Sequence, residues 1–264
     1  MHSFIDQCGQ TVTIPGIPKK IISLVPSQTE LLHYLNLDKE VIGITKFCIH
    51  PSNWFRNKTR IGGTKNIKLE KIRQLKPDMV IANKEENDQQ QIEILANEFP
   101  TWVSDIKDLA TALEMIQQVG EICDRKDTAQ LLVKNINQQF ALLSPLPHQT
   151  KVAYLIWQDP FMVAGADTFI DSMLSSAGFV NVFSNQNRYP VVDFEQIKNA
   201  GCSHIFLSSE PYPFKEKHVA DLQNQLPGCK VLLVDGELFS WYGSRLLKAP
   251  AYFNQLIKVI ADNH

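Results

Sequence analysis

The stretch KLEKIRQLKPDMVIAN (68–83) returns 125 residues later as DFEQIKNAGCSHIFLS (193–208). Leu69 stands over Phe194, Glu70 over Glu195, Ile72 over Ile197 and Arg73 over Lys198; Val80-Ile81 then stands over Ile205-Phe206. Each copy reads as a short amphipathic helix, a turn (Pro77-Asp78 in one, Gly201 in the other) and a buried apolar strand. A lone helix–turn–strand match is common in α/β proteins. A glutamate at the same place in both copies makes this one more specific, and the repeat predicts two halves built on one plan.

Working outward, further apolar runs read as buried strands: IISLV (21–25), VIGI (41–44), TWVS (101–104), VAYLIW (152–157) and VLLVD (231–235). Most lead into polar or turn residues and then a helical pattern. That alternation predicts parallel α/β layers rather than a sandwich or barrel of hairpins. The segment from Asp105 to Leu143 differs, with apolar residues at helical spacing (Leu109, Leu113, Ile116, then Leu132, Ile136, Phe140, Leu143) and an interruption at Gly120. Its second part, 125–143, makes a helix about 28 Å long at 1.5 Å per residue, stopped by Pro145 and Pro147. The expected organisation is an N-terminal α/β lobe (1–124), a connecting helix (125–144) and a C-terminal α/β lobe (145–264). The alternative is one larger sheet with that helix packed on it.

Composition narrows the function. Twenty-six basic residues against 28 acidic ones leave a formal charge of −2, so no whole-chain field attracts nucleic acid or anionic lipid. No apolar run reaches the 18–20 or so residues of a membrane helix. The opening MHSFIDQCGQTVTIPG lacks a basic n-region, an apolar core and a small-residue cleavage site. The sequence therefore predicts a soluble chain without an export signal, either cytoplasmic or trimmed from an exported precursor. The five cysteines are scattered and form no CxxC, so neither a disulfide framework nor a structural zinc site is expected. GxGxxG, Walker A, GxSxG and HExxH are absent, and no two histidines are four residues apart. The expectation is a non-enzyme.

Ligand-type residues cluster after the strands, where α/β folds place binding sites. Pro26, Ser27 and Thr29 with Glu30 form a helix start whose N–H groups either cap the helix or face a polar ligand. TKFCIHPSNWF (45–55) offers Phe47, Cys48, His50 and Trp54; Cys48 and His50 are weak metal candidates, and an aromatic pocket wall is the simpler reading. Lys84, Glu85, Glu86 and Asn87 follow MVIAN as ligand contacts or as a solvated helix start. In the second half, NRYPVVDFE (187–195) and DGELFSWYGSR (235–245) supply Tyr189, Phe239, Trp241 and Tyr242, with Arg188 and Arg245 available to carboxylates. These rings suit a broad, bulky ligand better than a small ion, unless they cover the core.

Together, IISLVPSQTELL, VIGIT, GGTKNIKLEKIRQLKPDMVIAN, FMVAGADTFIDSMLSSAGFVNVF, RYPVVDFEQI and DGELFSWYGSRLLKAPAYFNQL resemble the substrate-binding proteins of ABC importers for cobalamin and ferric siderophores, the helical-backbone metal receptor superfamily. The likeness runs from about Asp6 to Ile260 and is strongest to the cobalamin binders. It implies two Rossmann-like lobes with mostly parallel sheets, joined by one rigid helix, and a metal chelate held between them. It gives Glu70 and Glu195 a role as one docking carboxylate per lobe for a permease dimer with its ATPase. It implies a monomer in the periplasm or on a membrane anchor. Cobalamin binders of this type often carry a tryptophan after the VIA strand; here Asn83-Lys84-Glu85-Glu86 stands instead. The cleft aromatics must then come from Phe47, Trp54, Trp157, Tyr189, Phe239, Trp241 or Tyr242. The alternatives are a ferric-siderophore or haem binder using Lys84, Arg188 and Arg245, and a cytoplasmic metal-handling protein using Cys48 and His50.

Overall fold

The computed structural model describes residues 1–146 and 148–262. Pro147, expected to help end the connecting helix, lies outside the described residues. The chain divides into two compact units, one of residues 1–106, 110–135 and 242–245, the other of residues 107–109, 136–241 and Leu246 onward.

The first unit opens with an antiparallel hairpin, β1 (His2–Ile5) and β2 (Thr11–Ile14). Then come β3 (Ile21–Ser23), α1 (Pro26–Tyr34), β4 (Val41–Ile44), α2 (Ser52–Asn57), β5 (Thr59–Arg60), α3 (Leu69–Leu75), β6 (Met79–Asn83), α4 (Gln89–Glu98), β7 (Thr101–Ser104), α5 (Leu109–Ile122) and α6 (Lys126–Phe140). The sheet runs β5-β4-β3-β6-β7 with every pair parallel. Parallel strands need helical crossovers, which cover both faces of the sheet. Every residue of β6 is accordingly buried, and its sequence is a continuous apolar run rather than an alternation.

The second unit holds β8 (Lys151–Trp157), β9 (Met162–Val163), α7 (Phe169–Ser176), β10 (Val180–Asn181), α8 (Phe194–Asn199), β11 (His204–Ser208), α9 (Glu216–Gln225), β12 (Lys230–Val234), α10 (Gly236–Ser240), a 3-10 turn (Ser244–Leu247, begun in the first unit) and α11 (Ala249–Ala261). Its sheet runs β10-β8-β11-β12, all parallel, with β9 antiparallel on β8. Ala153, Leu155, Ile197, Ile205, Leu207 and Val231 lie in one apolar core. Each Val, Leu or Ile side chain among them taken from water is worth about 1.5–3 kcal/mol.

The repeat persists in three dimensions. α3 and α8 begin 125 residues apart, as do β6 and β11. β6 pairs with β3, the first strand of its sheet, and β11 pairs with β8, the first strand of the other. A left-handed residue follows each helix at the same offset, Lys76 (φ 48°) directly after α3 and Gly201 (φ 68°) one residue past the Ala200 cap of α8. Such a residue ends the helical run while backbone N–H groups still reach the last carbonyls, and it turns the chain toward the strand.

Two sequence expectations change. The 105–143 helical segment does not break at Gly120, which lies inside α5; it breaks at Asp124, in the left-handed region (φ 55°). At Gly120 the two helices approach closely, and an added Cβ would stand 2.3 Å from the Ala129 Cβ. The helix after the break spans 15 residues, about 22 Å at the α-helical rise. Its residues 126–135 fall in the first unit and 136–140 in the second.

Candidate functional site

In open parallel sheets, ligands bind outside the carboxyl ends of strands where the strand order reverses. In the first unit this point lies between β3 and β6, at the loops 24–27 and 84–87. The loops are tightly built. Leu24 N–H donates to the Ile81 carbonyl at 2.9 Å. The Asn83 side-chain oxygen accepts from the N–H groups of Glu85 and Glu86, both at 2.9 Å. Asn87 Oδ1 accepts from Asn83 N–H at 2.8 Å. Lys65 Nζ donates to the carbonyls of Glu85 at 2.6 Å and Asn87 at 3.1 Å. Short polar side chains that fold back on their own backbone make a rigid turn.

The segment Tyr242–Arg245 is fastened to this same unit. Tyr242 OH donates to Glu86 Oε1 at 2.7 Å, and burial pushes its phenol well above the ordinary range. Arg245 grips Glu30 with two parallel bonds, Nε to Oε2 at 2.8 Å and Nη2 to Oε1 at 3.0 Å, the fork geometry that guanidinium and carboxylate favour. Ser27, Tyr242 and Arg245, expected to face a ligand, are buried. The last two act as internal ties, because each polar end is committed to a glutamate of its own unit.

The loop after β4 also divides. Phe47 is 49% exposed with the Lys46 ammonium 4.8 Å from its ring centre. Trp54 is core: it packs edge-on against His33 at 5.2 Å, and its indole N–H donates to Asp38. Cys48 is core too, its sulfur 3.1 Å from the hydroxyls of both Thr29 and Thr45. Burial pushes that thiol up, against hydrogen bonds that lower it, so it is a poor metal ligand. His50 is half-buried beside Pro51. Among the described residues no group of three or more His, Cys, Asp or Glu side chains is placed to hold a metal. Lys84 is exposed and pairs with Asp105 at 2.6 Å.

In the second unit the order reverses between β8 and β11, at Trp157 and Ser208. Trp157 is 40% exposed and packs edge-on against half-buried Tyr212, ring centres 5.5 Å apart. Beneath them, Tyr154 and Ser208 share a hydrogen bond of 3.1 Å. Glu210 Oε1 accepts from Ser240 Oγ at 2.6 Å and from the Trp241 indole at 2.8 Å. Burial holds the Glu210 carboxyl above its ordinary value, opposed by those two bonds and reinforced by Glu237 and Asp235. Phe239 is fully buried against Tyr154, Phe206 and Phe253, and Trp241 is buried and tied to Glu210. Both rings, expected to face a ligand, are buried. Tyr189 is half-buried under the Arg188 guanidinium, 5.8 Å from its centre; Arg188 Nη1 donates to the Asp167 carbonyl at 2.8 Å.

Tyr212 and Glu210 escaped the sequence reading. Their signal was SSEPYPF (208–214), a polar-aromatic loop directly after an apolar run; its weight depends on strand order, which the run does not disclose.

Glu70 and Glu195 sit in the first turns of α3 and α8, with side chains 78% and 68% exposed. Each has a basic neighbour three residues on, Arg73 and Lys198. Among the described residues no helix is long and apolar enough to cross a membrane.

Comparison with known proteins adds to this geometry. A family model described as periplasmic binding protein matches residues 21–226. The ABC transporter substrate-binding lipoprotein YvrC of Bacillus subtilis (strain 168) is 29% identical over 257 residues, covering 92% of this chain and 81% of the relative. A vitamin B12-binding protein of Pectobacterium atrosepticum is 26% identical over 244 residues, covering 89% and 86%. Among solved structures, the periplasmic vitamin B12 binding protein BtuF of Vibrio cholerae matches with a TM-score of 0.75 at 21% identity, over 94% of this chain and 99% of that one. The periplasmic haem-binding protein RhuT from Roseiflexus sp. RS-1 matches with a TM-score of 0.77 at 18% identity, over 92% and 98%. The structural neighbours establish the two-lobe fold.

Proposed function

This chain belongs to the periplasmic binding protein family, as an ABC-type substrate-binding protein, and we propose that it captures cobalamin or a related corrinoid and delivers it to a permease dimer with its ATPase. It works outside the cytoplasm as a monomer, by binding rather than by catalysis. The observation that carries the reading is the exposed Trp157, set against Tyr212 at the strand reversal of the second sheet. Exposed Phe47 after β4 adds a second ring. Flat apolar rings with polar edges suit a macrocycle whose faces are apolar and whose rim carries amides. The vitamin B12-binding relative supports the same ligand class.

The alternatives, a ferric siderophore or haem, draw less from the charges. Lys84, Arg188 and Arg245 face Asp105, Asp167 and Glu30, so their positive charge is already offset. Metal handling through Cys48 loses its support with that thiol enclosed by two threonines. Glu70 and Glu195 serve as the docking pair in this proposal, since both are exposed and occupy equivalent helices of the repeat.

Titration with cobalamin, cobinamide, haem and a ferric hydroxamate tests the ligand, followed by absorbance, tryptophan quenching and thermal shift. Saturable binding of the corrinoids is expected. Binding of haem or hydroxamate alone replaces the ligand, and no response to any of the four at micromolar concentration removes the chelate reading. Charge reversal at both Glu70 and Glu195 is expected to abolish transporter docking while leaving ligand affinity unchanged.

A further inference from the structure

We propose that Cys202 and Cys229 form a site of oxidative modification, an intramolecular disulfide that closes when a low-molecular-weight disulfide such as oxidised glutathione supplies the oxidant. Both are free thiols, and their sulfurs stand 3.8 Å apart. The backbone already holds them in place. Cys202 lies two residues before β11 and Cys229 one residue before β12, and these strands pair in parallel from His204 and Lys230 onward. Lys230 N–H donates to the Ser203 carbonyl at 2.9 Å, and Cys229 Sγ to the Cys202 carbonyl at 3.0 Å. The register carried back one residue sets Cys229 beside Ser203, one step from Cys202; at about 4.8 Å between strands and about 3.3 Å along them, the two Cα atoms fall within the 4.4–6.8 Å or so that disulfides span. Closing the remaining gap takes a side-chain rotation, not a movement of the sheet.

The two thiols differ in access. Cys202 is buried, and burial together with the adjacent sulfur pushes it up to about 12. Cys229 is half-buried and lines a surface hollow of about 340 Å³ with Ser203, His204 and Gln223. The order of events follows from that difference. The Cys229 thiolate attacks one sulfur of the oxidant, forms a mixed disulfide and releases the first thiol. Cys202 then gives up its proton, attacks the Cys229 sulfur and expels the second thiol. Two S–H bonds are lost and one S–S bond forms; the oxidant's S–S bond is reduced to two thiols, which take up the two protons. The bond would clamp the amino ends of β11 and β12 around α9, whose strand β11 carries Ser208 and the Glu210–Tyr212 loop at its other end.

The test uses the full chain equilibrated in glutathione buffers of increasing oxidised fraction, then alkylated and mapped by peptide mass spectrometry without reduction. The expected product is one fragment joining the Cys202 and Cys229 peptides, absent after dithiothreitol. Thermal unfolding of the oxidised form should rise by about 5 °C or more, since the bond closes a loop of moderate length in the unfolded chain. Cys202→Ser should stop at glutathione on Cys229, and Cys229→Ser should give no cross-link. The wild-type peptide map decides the matter even if a variant fails to fold. Full alkylation of both cysteines under oxidising conditions would overturn the proposal, as would cross-linking to Cys8, between chains, or only in denaturant.

Discussion

At the scale of single residues, the rings and charges offered by DGELFSWYGSR divide by what their polar ends meet. Tyr242 and Arg245 end on Glu86 and Glu30 within one unit. Tyr242→Phe removes a hydrogen bond to a carboxylate, a loss of about 1.5–3 kcal/mol. Chemical denaturation should register that loss while the dissociation constant for the ligand stays unchanged. A weakened ligand with unchanged stability would return Tyr242 to the ligand surface. Glu210 is the residue whose charge matters to pH. Its carboxyl titrates above the ordinary 4.5, chiefly because of burial. The folded state thus holds its proton more tightly than the unfolded chain does. Stability is fully present at acid pH and falls as pH rises from the unfolded value through the folded one. Glu210→Gln keeps an oxygen for Ser240 and Trp241 but cannot ionise. Its melting temperature, measured across that window, should decline less steeply with pH than the wild type's.

At the scale of elements, strand positions were open to reading because buried parallel strands are short continuous apolar runs. VIGI, MVIAN and TWVS match β4, β6 and β7 end to end. The two-residue strands β5, β9 and β10 were not readable, since two residues carry no periodicity and owe their pairing to the neighbouring strand. The helix break shows a different limit. Glycine in a helix is a weak breaker, costing about 1 kcal/mol against alanine, and Gly120 is retained inside α5 because Ala129 of α6 occupies the space a Cβ would take. Gly120→Ala should therefore destabilise the protein by about 1–3 kcal/mol through overpacking, despite alanine's better helix propensity. Urea denaturation measures the sign directly, and a gain in stability would mean that α5 and α6 separate freely.

For the whole molecule, the ligand prediction rests on exposed rings. Trp157→Ala should weaken corrinoid binding about tenfold or more, on the scale of about 1.4 kcal/mol per factor of ten, and remove much of the fluorescence quenching. Phe47→Ala should weaken it less, as a lone ring beside a lysine. Neither variant should shift the unliganded melting temperature greatly, because neither ring is in the core. Loss of stability without loss of affinity would mark them as structural.

What the sequence determined by itself is the plan: two α/β units, the parallel sheets, the repeated helix and strand, and the carboxylate at the head of each repeat. These features depend on local periodicity and on turn residues acting over a few positions, so one strand of text carries them. Which aromatic faces solvent was decided only by the tertiary structure. Phe239 and Trp157 have the same local look, an apolar ring beside polar residues, yet one is enclosed by Tyr154, Phe206 and Phe253 and the other is not. Burial is a property of the elements that arrive from far along the chain, and the same holds for the carboxylates that claim Tyr242 and Arg245.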